Sequence, residues 1–163
     1  MTQPIFRPCL KADLPALARL VEQLYISDPG DAPANPDITL TFAEFERHPQ
    51  KGRIVLFDLG GEVAGYAILV FFWSNEFGGD FVEIDELLVD EKHRGSGIGR
   101  AFFAWLALNY QDCAGYALQV SARNEEARKL YLSVGFEPAR SQYMVKLGSL
   151  GAAQDKAAKS SSA

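Results

Sequence analysis

Cysteine is scarce in this chain: only Cys9 and Cys113 occur in 163 residues. They lie far apart, which excludes a disulfide framework and the paired spacing of a metal site. They read as small buried hydrophobes of a reducing compartment. Long apolar runs are missing too. The longest, Tyr66 to Trp73, has eight residues, against the roughly 20 that a spanning helix needs, so no membrane segment is expected. Arg7 and Lys11 are not joined to an apolar stretch of the kind a secretory leader carries, and a cytoplasmic location is the expectation. A basic excess is also absent. The 16 Lys+Arg stand against 21 Asp+Glu, for a net charge of -5, which argues against a general nucleic-acid binder. A small anionic ligand is not excluded, because it needs only a local basic spot. What remains, 48% hydrophobic and 23% charged residues, is the composition of one globular domain.

The hydrophobic pattern predicts the elements in order. Pro4 to Leu10 reads as a strand. Asp13 is a candidate N-cap with Pro15 just inside, and Leu14, Leu17, Val21 and Leu24 at helical spacing carry a helix to about Ile26. Residues 28–37 read as a loop. Thr41 and Glu44, at capping-box spacing, open a second helix. Arg53 to Leu59 and Val63 to Trp73 are strands joined by the hairpin signal Gly60-Gly61. Asp80 to Val89 is another strand. A glycine-rich turn, Gly95 to Gly99, opens a helix with Ile98, Phe102, Trp105 and Leu106 on one face. A strand at Ala117 to Ser121 follows, then a helix capped by Asn124 and ended by Gly135, then a closing strand at Gln142 to Leu147. Residues 148–163 lack an apolar face and are expected to be a disordered tail. The order predicts a mixed α/β domain over 1–147, with a central mixed sheet of about six or seven strands flanked by about four helices.

The stretch Asp90 to Arg100 reads DEKHRGSGIGR. Glycines at 95, 97 and 99 let the backbone approach a ligand and expose N–H groups at a helix N-terminus, where anions bind; the alternative is a plain tight turn. A Walker A loop is excluded because no Lys follows. A dinucleotide fingerprint fails because position 100, where its third glycine belongs, is Arg100. Lys92, His93, Arg94 and Arg100 make this the most basic stretch of the chain, with His93 itself read as a loop residue. In the preceding strand, Val82 and Ile84 are apolar on even positions, Leu87 and Val89 on odd ones. A bulge near Asp85–Leu88, or a strand end buried on both faces, produces such a change of phase.

Arg94, Gly97 and Gly99 match the R/Q-x-x-G-x-G/A signature, and the chain here resembles the GNAT acyl-CoA-dependent N-acetyltransferases. A second signature, N-x-x-A-x-x-x-Y-x-x-x-G-F, is matched at Asn124, Ala127, Tyr131, Gly135 and Phe136. The two motifs stand in the family's order and the resemblance spans roughly residues 3–147. It implies acetyl-CoA as cosubstrate and no metal. The backbone of Arg94, Gly95, Ser96, Gly97, Ile98 and Gly99, with Arg100 beside it, would hold the pyrophosphate, and Asn124 would contact the cofactor or simply cap its helix. Leu87, Leu88 and Val89 would line the thioester, with a polarising N–H from Leu88 or a neighbour. Tyr131, by spacing alone a half-buried helix residue, would be the general acid for the departing thiolate.

The resemblance is to polyamine and diamine acetyltransferase-like members in particular, where a Glu-Asp pair stands in the reverse order of Asp85-Glu86. Those two acids, with Glu83 two residues earlier, would take the proton of an attacking amine and attract a cation; a solvated strand face is the alternative. Tyr25, Asp28 and Trp73 would contribute to the acceptor pocket, unless they merely belong to a solvated loop and a core strand. The expected activity is direct acetyl transfer to the primary amine of a small cationic substrate, in a chain that binds neither nucleic acid nor membrane and that, like many relatives, forms a homodimer. A protein or peptide acetyltransferase, an aminoglycoside-type resistance enzyme and a non-catalytic acyl-CoA sensor are the rival expectations; retention of Tyr131 speaks against the sensor.

Overall fold

The computed structural model describes residues 3–28 and 36–149. Strand β1 (Ile5–Pro8) leads through a 3-10 turn (Lys11–Asp13) into α1 (Leu14–Ser27), and α2 (Ile38–Arg47) follows. Three consecutive strands come next: β2 (Gly52–Leu59), β3 (Glu62–Ser74) and β4 (Gly79–Val89). A second 3-10 turn (Glu91–His93), α3 (Ile98–Asn109), β5 (Gly115–Leu118) and α4 (Glu125–Ser133) complete the described elements. The sheet runs β1-β2-β3-β4-β5. Its first three pairings are antiparallel and β4–β5 is parallel, because α3 carries the chain back across before β5.

Each face of the sheet buries its own core. Against α1 and α2 pack Ile54, Leu56, Tyr66, Ile68 and Leu88 with Leu17, Leu20, Val21, Ile38 and Phe42. Against α3 pack Val55, Phe57, Ala67, Leu69, Val82 and Ile84 with Ile98, Phe102, Phe103 and Leu106, and Leu130, Tyr131 and Val134 of α4 border this core. The alternation of β2 and β3 thus feeds both faces. A buried Phe such as Phe102 contributes about 2–3 kcal/mol by area alone.

Several boundaries differ from the sequence expectation, each for a physical reason. β1 is shorter, Ile5–Pro8, where its ladder with β2 ends. Asp13 does not cap α1 with its side chain; its carboxylate accepts the Leu10 N–H (2.8 Å) and two Arg7 hydrogen bonds (2.7 and 2.9 Å), so the helix is preceded by an extra 3-10 turn. α2 starts at Ile38 rather than Thr41, because Asp37 Oδ1 accepts the Thr39 N–H at 3.0 Å and already caps the helix there. β5 is Gly115–Leu118 rather than Ala117–Ser121, since its ladder runs from Phe81–Gly115 to Ile84–Leu118 and stops where β4 changes register. The described sheet has five strands rather than six or seven. Residues 142–147 form no ladder among the described residues. Tyr143, Met144 and Val145 are apolar in succession and all exposed, so no single face is available to bury. Residues 29–35 of the expected loop, and residues 150–163 of the expected tail, lie outside the described residues.

Candidate active site

The strand β4 carries one residue too many for its neighbour. Ile68 stands opposite Glu86 while Leu69 stands opposite Ile84, so Asp85 is the unpaired extra residue of a bulge. Before it, Val82 and Ile84 point to the α3 core; after it, Leu88 points to the α1–α2 core. Beyond Ile84, β4 has no partner on the β5 side. The Asp90 N–H bonds the Ala64 carbonyl at 2.9 Å, and antiparallel alternation then puts the Leu88 N–H into the ladder with Tyr66. The N–H groups of Leu87 and Val89 face the open side. The polarising donor expected from Leu88 or a neighbour is therefore a neighbour's.

That open side is a cleft of about 750 Å³. Leu87, Leu88 and Val89 of β4 border it, with Arg94, Gly95, Gly97, Gly99 and Arg100 of the turn, Asn124, Ala127, Leu130 and Tyr131 of α4, and Leu24 and Asp28 at the end of α1. Gly95 and Gly97 have φ of 73° and 85°, a region that costs an L-residue about 1–2 kcal/mol. A Cβ at either would meet nothing within 4 Å, so the backbone there is bare. Gly99 serves differently: a Cβ would come within 2.9 Å of Leu130 Cδ2, so its absence lets α3 and α4 approach. Bare N–H groups at the start of α3 make an anion nest. Arg94, Arg100 and Arg123 surround it. Arg94 Nε donates to the Val89 carbonyl (3.2 Å) and Arg100 Nη2 to Ser133 Oγ (2.9 Å), which leaves their remaining N–H groups for an anion. Ser96 and Ile98 do not line the cleft. The Ser96 hydroxyl donates to the His93 carbonyl within the turn, and Ile98 is buried in the core.

Tyr131 borders the cleft with its ring edge-on to Phe103 (5.8 Å) and near Phe136 (6.1 Å). Burial, with a smaller effect from the Asp28 carboxylate, pushes its phenol up to about 12. Asn124 uses both amide atoms: Oδ1 accepts the Ala127 N–H (3.1 Å) and caps α4, and Nδ2 donates to Asp28 Oδ2 (2.9 Å). It thereby ties the end of α1 to the start of α4 across the cleft, so Asp28 meets Asn124.

Glu86 stands outside the cleft lining, on the α1 side of the sheet. Its Oε1 accepts from the Tyr25 hydroxyl (2.8 Å) and its Oε2 from the Tyr66 hydroxyl (2.7 Å). Burial raises Glu86 above the usual carboxylate range, against the pull of the two phenols. Asp85 is exposed at its own surface yet crowded by protein; that desolvation, then the Glu83 charge, raises it. Next to the cleft-lining stretch Leu87–Val89, but themselves outside the lining, Asp85, Glu86, Glu83 and Tyr25 are thus brought together. Trp73 is not: it sits opposite Asp80 at the far end of β3, exposed, and outside the cleft lining.

Three residues escaped the sequence reading. Arg123 lines the cleft, and its only signal was a basic residue just before the Asn124 cap. Tyr66 was hidden inside an apolar run. His93 also lines the cleft, with a buried Nδ1 that has no hydrogen-bond partner among the described residues. Burial pushes the Cys9 thiol up to about 11. Among the described residues no three His, Cys, Asp or Glu side chains cluster as metal ligands, and no helix is long and apolar enough to cross a membrane.

Residues 17–136 match the model of the acetyltransferase (GNAT) family. A comparison with curated proteins found no match. Solved structures share the fold. A possible acetyltransferase from Clostridium difficile 630 is 20% identical over 89% of this chain and 98% of its own, with a TM-score of 0.72. A ribosomal-protein-alanine N-acetyltransferase from Brucella melitensis biovar Abortus 2308 is 19% identical over 89% of this chain and 99% of its own, TM-score 0.70. An integron cassette protein from the mobile metagenome of Cole Harbour Salt Marsh is 23% identical over 87% of this chain and 89% of its own, TM-score 0.72.

Proposed function

The chain belongs to the acetyltransferase (GNAT) family, and on that premise we propose that it moves an acetyl group from acetyl-CoA directly to the primary amine of a small cationic acceptor. The observation that carries the reading is the opening of β4 away from β5 at the Asp85 bulge. It leaves the Leu87 and Val89 N–H groups facing a cleft that also holds the Gly95–Gly97 nest and Tyr131. The nest and its arginines suit a pyrophosphate. The two strand N–H groups suit the thioester oxygen, on which negative charge develops as the amine attacks. Tyr131 suits the departing sulfur.

An alkylamine has a pKa near 10.4 and arrives as a cation at neutral pH. The acids Glu83, Asp85 and Glu86 draw it in and supply the proton acceptor it needs before attack. A polyamine or diamine, carrying a second cationic end, fits three carboxylates better than a neutral amine does. Free-CoA release is the test, measured with acetyl-CoA against polyamines, diamines, amino acids, aminoglycosides and lysine peptides. Turnover is expected with the first two groups. Release with none of them overturns the reading, and release with peptides alone moves the acceptor to proteins.

A further inference from the structure

Glu86 is held more tightly than an acid that must exchange protons with a substrate requires. Each of its oxygens accepts a phenolic hydrogen bond, at 2.8 Å from Tyr25 on α1 and 2.7 Å from Tyr66 on β3. Tyr66 is 0% exposed, so it touches no acceptor and acts only through Glu86. The bulge makes this contact possible. Were Asp85 paired in a regular strand, Glu86 would continue the row of Val82 and Ile84 into the apolar core under α3; with Asp85 bulged out, Glu86 joins Tyr66 and Leu88 on the α1 face. Asp85 is in the opposite situation. It is the extruded residue, it is exposed, and it makes no hydrogen bond among the described residues.

We propose that Tyr25 and Tyr66 are positioning residues that clamp Glu86 as a fixed anion, and that the neighbouring Asp85 is the acid that takes the proton of the incoming amine. The second half rests on the acetyl-transfer reading; the first does not. The ammonium gives one proton to Asp85, which passes it to solvent. The freed nitrogen forms the C–N bond as the C–S bond breaks. A second nitrogen proton replaces the one that Tyr131 hands to the sulfur, so thiol and amide leave with one net proton released. Glu86, with both oxygens occupied, contributes its charge to holding the cation.

The charged and titratable groups around the pair are Tyr25 and Tyr66 for Glu86, Asp85 beside it, and Glu83 beside Asp85. Burial raises both acids. The phenols pull Glu86 back, whereas Glu83 raises Asp85 further, which suits Asp85 to receive a proton.

Two measurements decide the matter. In steady-state kinetics with an accepted amine, Asp85→Asn is expected to lower kcat at least about 100-fold with the amine KM little changed. It should also abolish the acid limb of the pH profile. Glu86→Gln, Tyr66→Phe and Tyr25→Phe are expected to raise the amine KM about tenfold and to keep that limb. A collapse of kcat in Glu86→Gln with a mild effect of Asp85→Asn overturns the division of roles. The second measurement needs no activity. The Glu86 carboxyl carbon is followed by NMR titration and assigned with Glu86→Gln. Loss of one phenol donor is expected to move its midpoint up by about one pH unit, since a hydrogen bond to a charged group favours the anion. An unmoved midpoint in both phenol variants overturns the clamp. Tyr25 is only half-buried, so its variant decides the point if Tyr66→Phe fails to fold. A wild-type chain that turns over no amine removes Asp85's role along with the acetyl-transfer reading, while the titration still settles the clamp.

Discussion

Replacing Tyr131 by Phe separates chemistry from architecture at one atom. The ring keeps its edge-on contact with Phe103 and its neighbour Phe136. The hydroxyl makes no hydrogen bond among the described residues, so its loss is expected to change stability by less than about 1 kcal/mol. The rate is another matter. A phenol held at about 12 faces a departing thiolate whose conjugate acid lies near 8.5 by analogy with cysteine. Full transfer that left a phenolate behind would be uphill by about 3.5 pH units, or roughly 5 kcal/mol. Tyr131 therefore gives up its proton only while gaining another from the attacking nitrogen, and it stays neutral throughout. Losing such a donor costs about 100-fold or more in kcat, close to 2.7 kcal/mol of barrier, with the KM for acetyl-CoA nearly unchanged. The pH profile carries a second consequence. Because the phenol stays protonated up to about pH 11 (one unit below its raised value), the wild-type profile should show no falling alkaline limb before then. Equal kcat in Tyr131→Phe refutes the role. A falling limb near pH 9 that vanishes in the variant refutes the raised phenol.

Other expectations follow from the same geometry. Gly97→Glu places a side chain where φ is 85° and nothing lies within 4 Å; it should weaken acetyl-CoA binding at least about 100-fold by calorimetry, at a stability cost of about 1–2 kcal/mol. Unchanged binding removes the nest from the cofactor site, and Gly97→Ala controls for the backbone strain. Arg7 donates three hydrogen bonds to Asp13 and Asp58, so Arg7→Met should lower stability by about 2 kcal/mol in urea unfolding at neutral pH. Arg7 holds Asp13 below the usual carboxylate range, and the Gly61 N–H with Arg7 does the same for Asp58. The wild-type advantage is therefore complete above about pH 4 and fades as the pH falls through those lowered values; an equal midpoint at neutral pH counts against the bridge. Burial raises Tyr25, Tyr66 and Tyr131 above their unfolded value of about 10. The stability they favour is whole below that pH and falls above it by up to about 1.4 kcal/mol per pH unit for each tyrosine. Urea unfolding between about pH 9 and pH 11 should show this fall, shallower in Tyr66→Phe.

The elements that could be read from the chain were those whose causes are local. The Gly60-Gly61 turn, the helical stripe of Leu14, Leu17, Val21 and Leu24, and the Asn124 cap each depend on neighbours within a few residues, and each appears in the fold. The change of apolar phase between Ile84 and Leu87 announced the bulge for the same reason. The misplaced ends of strands depended on distant partners, whereas the start of α2 turned on a neighbouring cap, Asp37, that the spacing of Thr41 and Glu44 overshadowed. β5 ends at Leu118 because β4 bends away 34 residues earlier in the chain. Residues 142–147 have strand-forming composition but pair with no strand among the described residues, although β5 stands at the edge of the described sheet. Tyr66 looked like one more apolar residue in an eight-residue run, because nothing local shows that its hydroxyl meets Glu86 20 residues on. Asn124 was legible as a cap, but not as the partner of Asp28, 96 residues away.

The bulge at Asp85 also explains why both halves of the proposed chemistry sit on one strand. A regular β4 that kept Asp85 in its ladder would stay paired with β5 and turn every even residue, Glu86 included, under α3, leaving no free N–H groups. One inserted residue reverses the alternation. It turns Glu86 toward Tyr25 and Tyr66 and leaves Asp85 extruded and exposed beside it. It also releases the Leu87 and Val89 N–H groups into the cleft. An anionic donor in the cleft and a cationic acceptor beside the acids can then approach the same few residues of β4. The net charge of -5 conceals this, because the basic turn at 92–100 and the acids at 83–86 are separated by only the last few residues of β4. Deleting Asp85 lets Glu86 follow Ile84 directly, still opposite Ile68 on the α1 face, so the regular ladder should take away the free N–H groups while the clamp survives. A shortened chain that still folds, with β4 hydrogen exchange slowed at Leu87 and Val89 and activity lost, is the outcome this reasoning demands; unchanged exchange at those two amides refutes it.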